Sequence, residues 1–141
     1  MSASTPRPLL VELQLPVKYY DVDILGIVHN VVYIRWLEDL RMQLLAAHYP
    51  LARLMADDLS SVLERTEIDY RRPVRLQDEP RGRMWVSRLT RARWEVQAEI
   101  SLGEVPAATA LQRGYFFDVS RQRVAPVPAQ LRDVWQREAG A

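Results

Sequence analysis

The chain has 141 residues, of which 48% are hydrophobic and 26% are charged, a composition typical of one soluble globular domain. Its 19 Lys and Arg residues nearly balance its 18 Asp and Glu residues, so the net charge of +1 indicates no nucleic-acid partner. The sequence contains no cysteine, which excludes disulfides, thiolate metal sites and cysteine nucleophiles.

Residues 1–141 are expected to form a single domain whose first eight residues are flexible. No segment approaches the roughly 18 consecutive apolar residues of a membrane span, and the N-terminal segment lacks a basic stretch followed by a long apolar run. We therefore expect a cytoplasmic protein without a membrane span.

The first predicted element is a strand in LLVELQLPVKYY, where apolar and polar residues alternate from Val11 to Tyr19. Pro16 indicates that part of this strand lies at a sheet edge, because proline cannot donate to a ladder. The period then changes, and apolar residues from Val31 to His48 recur at helical spacing, which predicts a helix of roughly 27 Å. Burial on more than one side of this helix is implied by its extra apolar positions, Val31, Val32, Ile34 and Leu45.

Strands dominate the chain after a short, weakly helical piece that follows Pro50. Strand patterns lie in SVLERTEIDYRRPV, RGRMWVSRLTR, RWEVQAEISL and AATALQRGYFFDV, and PAQLRDVWQRE predicts a terminal helix. This order indicates an α+β fold in which one antiparallel sheet of about five strands wraps around one long central helix. Self-association would cover the sheet edges that such a fold leaves open.

Polar residues are crowded in YYDVDILGIVHN, between the first strand and the long helix. An aspartate or Asn30 is a candidate helix cap, and a carboxylate there can approach the free N–H groups of the helix. Gly26 would let a ligand approach the backbone closely. The spacing of Asp21 and Asp23 also suggests a metal motif, but the two histidines supply no spaced ligand set, so no metal site is predicted. From the residues alone, a catalytic site and a polar turn are both possible.

The segment YYDVDILGIVHNVVYIRWLED resembles the hot-dog-fold acyl-CoA thioesterases of the 4-hydroxybenzoyl-CoA thioesterase-like family. That family has an aspartate, a glycine after two variable residues, two apolar residues, then a tyrosine and an acidic residue. About forty residues downstream, EIDYRRPVRLQDE resembles the family's strand-and-turn segment, and RQRVAPVPAQLRD resembles its last turn and terminal helix. The first pattern falls on Asp23, Gly26, Ile27, Val28, Tyr33 and Glu38.

The resemblance implies a hot-dog fold, hydrolysis of an acyl-CoA thioester, and assembly into homodimers or homotetramers with active sites at the dimer interface. It assigns catalysis to Asp23, either as the nucleophile that attacks the thioester or as the general base for water. Coenzyme A enters as part of the substrate, and no separate cofactor is implied. Substrate or oxyanion contacts are implied for Gly26, Val28, His29, Asn30 and Tyr33.

Arginines around the turn in SRLTRARWE are candidates for binding the phosphates of coenzyme A. The resemblance places Arg88, Arg91 and Arg93 where related thioesterases contact the nucleotide, and guanidinium groups suit phosphate oxygens. A solvated basic hairpin is the alternative interpretation of the same residues.

Alternatives to this assignment stay open at the level of the sequence. A thioesterase that acts on acyl carrier protein would also suit an arginine-lined entrance, and a non-catalytic hot-dog domain would bind acyl-CoA without hydrolysing it. Another hot-dog branch takes its carboxylate from the central helix, which here offers Glu38 and Asp39, ranked below Asp23. Ile24 and Leu25 stand where many relatives have a small residue or proline, so the acyl group is left open.

Overall fold

One antiparallel sheet and a long helix on its face form the fold in the computed structural model, which describes residues 5–140. The strands are β1 (Val11–Gln14), β2 (Leu59–Tyr70), β3 (Arg81–Leu89), β4 (Trp94–Leu102), β5 (Val105–Asp118) and β6 (Arg123–Ala125). The helices are α1 (Asn30–His48), α2 (Leu51–Ala56) and α3 (Ala129–Glu138), and a 3-10 turn covers Tyr19–Asp21. The predicted α+β arrangement is confirmed.

The strands lie in the order β1-β3-β4-β5-β2, and β6 pairs with the end of β5. β1 pairs with β3 alone among the described strands, so the edge position predicted from Pro16 is confirmed. β2 is the other edge, and its register with β5 runs from Leu59↔Asp118 to Tyr70↔Ala108 with a bulge near Glu64. Within residues 5–140, the second side of this 12-residue strand has no partner strand.

The face of α1 that meets the sheet contains the largest apolar side chains of the helix. Two core clusters form along it, and each fully buried Leu in them contributes roughly 1.5–3 kcal/mol. The cluster at the start of α1 includes Val28, Val32, Tyr33, Trp36, Val74, Ile100 and Ala108. The cluster at its end includes Leu37, Leu40, Leu44, Met84, Val86, Trp94, Phe116 and Leu131.

The predicted burial of a second side of α1 is wrong for two residues of the described chain. Val32 is buried and Leu45 is half-buried, but Val31 is 66% and Ile34 is 37% exposed. These two side chains lie outside the contact between α1 and its own sheet. Val31 and Ile34 form an apolar face of α1 that no residue of the two core clusters covers.

The first strand is shorter than its sequence pattern predicts. β1 ends at Gln14, and Tyr19, which the pattern had placed inward, is 79% exposed in the 3-10 turn. Proline cannot donate the hydrogen bond that would extend the ladder past this point. β6 was missed because a strand of three residues has too short a pattern to recognise.

We expected residues 1–8 to be flexible. Residues 1–4 of this segment lie outside the described part of the chain, and residues 5–8 are described. Arg7 places its guanidinium 4.0 Å from the centre of the Trp85 ring and pairs with Glu99 at 2.7 Å. Pro8 is buried, and its carbonyl accepts a hydrogen bond from the Val86 N–H at 2.9 Å. Packing against β3 therefore begins by residue 7.

Candidate active site

A tight hairpin just before α1 presents Asp23 to solvent. Val22 and Val28 form an antiparallel bridge, and the N–H of Asp23 donates to the Ile27 carbonyl at 2.9 Å. The Gly26 N–H donates to the Asp23 carbonyl at 2.9 Å, which closes a four-residue turn. The side chains at the tip of the turn point outward, since Ile24 is fully exposed.

The carboxylate of Asp23 is fixed through one of its two oxygens. Oδ1 accepts hydrogen bonds from the N–H groups of Leu25 at 2.9 Å and Ile27 at 3.0 Å, which is an Asx-type turn. No hydrogen bond from within residues 5–140 reaches Oδ2. The half-buried side chain is thus held in one orientation with one oxygen available for chemistry.

Gly26 provides the backbone angle that the hairpin requires. Its φ is +76°, a region that L-residues with a side chain rarely adopt. A Cβ at this position would meet no atom within 4 Å, so conformation rather than space favours glycine here.

The first turn of α1 leaves backbone donors next to this hairpin. His29 is the N-cap residue and makes no side-chain cap bond, whereas Asn30 is the first residue of the helix. The expectation that Asn30 or an aspartate caps the helix is therefore wrong, because Asn30 already has helical geometry and both carboxylates bind elsewhere. Within the described residues, the N–H groups of Asn30 and Val31 have no acceptor.

Asp21 anchors the base of the hairpin. Its carboxylate is buried and accepts hydrogen bonds from Arg35 at 2.6 Å and from the Lys18 N–H at 2.9 Å. Its carbonyl oxygen accepts the His29 N–H at 2.9 Å. With these partners, Asp21 has a structural position at the base of the hairpin.

The remaining residues of the predicted substrate set lie behind the hairpin. Val28 and Tyr33 are both 3% exposed, and Tyr33 packs edge-to-face against Trp36 and Tyr70 with ring centres about 5 Å apart. Burial raises the pKa of Tyr33, and the nearby Tyr70 raises it further, while the Val74 N–H opposes the shift. Tyr33 is thus a neutral core residue at physiological pH.

The predicted phosphate-binding arginines lie at the other end of the sheet from Asp23 within one chain. Their turn joins β3 to β4 as predicted, and Arg93 pairs with Glu64. Trp94 lies beside this turn, and Ile100, in the same core cluster as Val28, is six residue steps further along β4, a distance of about 20 Å. The side chains of Arg88, Arg91 and Arg93 are exposed, and Arg88 and Arg93 line one open groove.

A second group of arginines was missed at the sequence level, and one of them, Arg75, pairs with the Asp23 hairpin. Arg75 forms an antiparallel bridge with Ile27, and Arg71 and Arg72 both donate their N–H groups to the Ala107 carbonyl. Their side chains are exposed and make no salt bridge within residues 5–140. The only available signal was the run RRPVR inside the segment that resembles the family's second motif.

Two further properties concern the described residues as a whole. No group of three or more His, Asp or Glu side chains in residues 5–140 is arranged to bind a metal ion. None of the described helices is long and apolar enough to cross a membrane.

The sequence profile of the thioesterase-like superfamily matches residues 17–134. The chain belongs to this superfamily. Thioester hydrolysis, predicted from the motif around Asp23, is thereby confirmed as the reaction class of the family, and so is the hot-dog fold. The match covers α1, the hairpin before it, the strands from β2 to β6 and the first part of α3. A search of curated protein sequences gave no match.

Solved thioesterase structures share the fold over nearly the whole chain. A thioesterase complexed with coenzyme A and Zn from Thermus thermophilus has a TM-score of 0.78 at 24% identity and covers 95% of this chain and 96% of its own. A 1,4-dihydroxy-2-naphthoyl-CoA thioesterase from Synechocystis has a TM-score of 0.79 at 18% identity, with 90% and 96% covered. A thioesterase superfamily protein from Jannaschia sp. CCS1 reaches 0.83 at 17% identity, with 96% and 98% covered.

Proposed function

We propose that this member of the thioesterase-like superfamily hydrolyses an acyl-CoA thioester with Asp23 as its catalytic carboxylate. The observation that favours Asp23 is its fixed carboxylate, in which two backbone N–H groups bind Oδ1 and Oδ2 has no partner within residues 5–140. The carboxylates of α1 are less suitable, because Glu38 pairs with Arg41 and Asp39 lies exposed on the outer side of the helix.

Two routes to the same products fit this geometry. In the first, Oδ2 attacks the thioester carbonyl, the coenzyme A thiolate leaves, and water opens the resulting mixed anhydride to release the acid and restore the carboxylate. In the second, Oδ2 takes a proton from a water molecule as that water attacks the carbonyl, and the thiolate leaves with a proton. Both routes consume one water molecule and produce a free acid and coenzyme A.

Backbone donors at the start of α1 are suited to the oxyanion of either route. The N–H groups of Asn30 and Val31 lack acceptors within the described chain, and they lie at the positive end of the helix dipole. One well-placed donor of this kind contributes about 3 kcal/mol to the transition state. We propose that these two groups, from the same chain or from a partner's helix, bind the thioester oxygen.

Exposed arginines are proposed to bind the phosphates of coenzyme A. In the group formed by Arg71, Arg72 and Arg75, Arg75 pairs with the hairpin of Asp23. Arg88, Arg91 and Arg93 lie at the far end of the same chain's sheet. A partner chain could bring the second group close to Asp23. Replacing each group by alanine and comparing the KM for the same acyl-CoA separates their contributions.

A homodimer formed through the β2 edges is proposed as the active assembly. β2 presents 12 residues with an unpaired ladder side, and long bare edges of this kind favour pairing with another chain. The exposed apolar residues Val31 and Ile34 on α1 would then be available for contact with the partner. Sedimentation equilibrium should give a multiple of the 16.4 kDa chain mass, and an active monomer would contradict this assembly.

The experiment that tests the proposed function measures coenzyme A release from a panel of aliphatic and aromatic acyl-CoA esters. We expect turnover of at least one ester. The same acyl groups on acyl carrier protein should react more slowly. Faster reaction of the carrier-bound esters would reassign the substrate, and tight binding of acyl-CoA without release across the panel would show a non-catalytic domain. The cytoplasmic location expected from the sequence stays a prediction.

A further inference from the structure

An apolar cavity of about 40 Å³ lies under the C-terminal half of α1, between that helix, the sheet and α3. Its inner wall consists of buried aliphatic and aromatic side chains. A water molecule needs roughly 15 Å³ and two or more polar partners, and cavities with purely apolar walls stay dry and admit apolar molecules. The residues of the inner wall are Leu44, Val86, Val96, Phe116 and Leu131.

The cavity reaches the free edge of the sheet, since Ser61 of the edge strand β2 is among its half-buried lining residues. Most of its lining residues are buried, but four are only half-buried: Arg41 and Leu45 on α1, Ser61 on β2 and Leu89 on β3. The guanidinium of Arg41 is already engaged, since it donates to Gln112 at 2.8 Å and also pairs with Glu38. The rim therefore combines the held guanidinium of Arg41 and the Ser61 hydroxyl with the apolar side chain of Leu45, whereas the inner wall is apolar.

Within one chain, the cavity is distant from Asp23. Arg41 lies eleven residues after Asn30, which corresponds to about 17 Å along α1. The hydroxyl of Tyr70 donates to the Asn30 carbonyl at 3.2 Å, so the end of β2 marks the hairpin end of the site. Ser61, near the start of β2, marks the cavity opening.

Antiparallel pairing of two β2 edges would bring the two features together. If the strands overlap over their full length, Tyr70 lies opposite the partner's Leu59, which is two residues from the Ser61 at the cavity opening. The hairpin that contains Asp23 in one chain then adjoins the cavity opening of the other. Such a dimer would contain two equivalent sites, each built from both chains.

We propose that this cavity receives the terminal carbons of an aliphatic acyl chain whose thioester lies at Asp23 of the partner chain. The proposal rests on the proposed function and assigns its substrate class, the medium-chain aliphatic acyl-CoA esters. Each methylene that enters an apolar cavity raises kcat/KM by about fourfold. Hydroxylated aromatic acyl groups are excluded from the class, because a hydroxyl at the inner wall would find no hydrogen-bond partner.

The first test measures kcat/KM for saturated acyl-CoA esters from acetyl to lauroyl, together with 4-hydroxybenzoyl-CoA. We expect kcat/KM to rise by about fourfold for each methylene that enters the cavity, up to a medium-chain optimum, and we expect slow turnover of the aromatic ester. A flat profile, or a preference for the hydroxylated aromatic ester, would overturn the proposal. Absence of turnover with every ester, acetyl-CoA included, would instead contradict the proposed function.

Variants at the opening and at the inner wall test the cavity itself. Leu45→Trp should close the opening and lower kcat/KM for octanoyl-CoA about tenfold more than for acetyl-CoA. Met42→Trp is the matched control, because this exposed residue of the same helix does not line the cavity. Leu131→Ala enlarges the cavity at its inner wall and should move the optimum of kcat/KM toward longer acyl chains. Unchanged profiles in the folded variants would refute the assignment.

Mixed dimers test the contribution of both chains to one site. Expressed alone, Asp23→Asn should lose octanoyl-CoA hydrolysis, and Leu45→Trp should keep only the reduced rate predicted above. Co-expressed, they form mixed dimers in which one site combines an intact Asp23 with an open cavity, so octanoyl-CoA hydrolysis should return in part. Absence of any return in isolated mixed dimers would show that the acyl chain does not enter the partner's cavity.

Discussion

The guanidinium of Arg35 lies 2.6 Å from the buried carboxylate of Asp21, and this pair fixes the base of the hairpin that presents Asp23. Arg35 belongs to the second turn of α1, so the pair ties the hairpin to the helix that follows it. The N–H of Lys18 also donates to Asp21, at 2.9 Å. Asp21 thereby connects the segment before the hairpin with the helix behind it.

Replacing Asp21 by asparagine should lower both stability and turnover. The buried side chain would lose its charge-assisted bond to Arg35, at a cost of about 2 kcal/mol in the free energy of unfolding. The kcat should fall more than the KM rises, because the variant displaces Asp23 without removing a substrate contact. Urea unfolding and coenzyme A release measure the two effects. Asp39→Asn, on the exposed side of α1, is the control, and equal results for both variants would refute the anchoring role.

Gly26→Ala should destabilise the protein by about 1–2 kcal/mol, because its φ of +76° is unfavourable for any residue with a Cβ. The added atom meets nothing within 4 Å, so the cost is conformational. Gly26→Asn should be milder, since asparagine tolerates this region better than alanine. Thermal unfolding and kcat should follow the same order for the two variants. Equal effects of alanine and asparagine would contradict the conformational explanation.

Gly114→Ala should be far more damaging than Gly103→Ala. A Cβ at Gly114 would overlap the Val62 carbonyl oxygen of the neighbouring strand and the buried ring of Trp94, and neither can move away. We expect a loss of about 3 kcal/mol or more at this position. At Gly103 the space is open, and only its φ of +61° opposes alanine, at about 1 kcal/mol. Similar unfolding midpoints for the two variants would contradict this packing.

Alkaline pH should destabilise the core through Tyr33. Burial raises the pKa of Tyr33 above the value of about 10 that it has when unfolded. The folded state therefore binds this proton more tightly than the unfolded state does. The resulting contribution to the free energy of unfolding is complete below about pH 10 and is lost as the pH rises through the folded pKa. Tyr33→Phe should reduce this alkaline loss in urea unfolding, whereas Tyr20→Phe, at an exposed position, should not. An identical alkaline loss in wild type and Tyr33→Phe would exclude Tyr33 as its source.

The long helix and the central strands could be predicted because their patterns are long and regular. The predicted helix began at Val31 and α1 begins at Asn30, while the alternation from Trp94 to Leu102 matches β4. The first strand was overextended, because its alternation continues past Pro16 although the ladder ends at Gln14. A pattern of alternating residues does not show where hydrogen bonding stops.

The position of Asp23 could be proposed from a motif, but its geometry could not. The two bonds to Oδ1 depend on a turn whose shape requires the positive φ of Gly26. The position of Arg75 beside the hairpin depends on its pairing with Ile27, a residue far from it in the chain. Such distant pairings follow from the whole sheet and leave little trace in local sequence.

The most direct measurement of the central claim is the rate of coenzyme A release by Asp23→Asn on the best ester of the panel. Asparagine keeps the shape of the side chain and its acceptor oxygen for the Leu25 and Ile27 N–H groups, but it can neither attack the thioester nor take a proton from water. We expect kcat to fall by about 10²–10⁴-fold in Asp23→Asn, with the fold intact by circular dichroism. The matched control, Asp133→Asn on α3, should keep the wild-type kcat. Wild-type turnover in a folded Asp23→Asn protein would contradict the assignment.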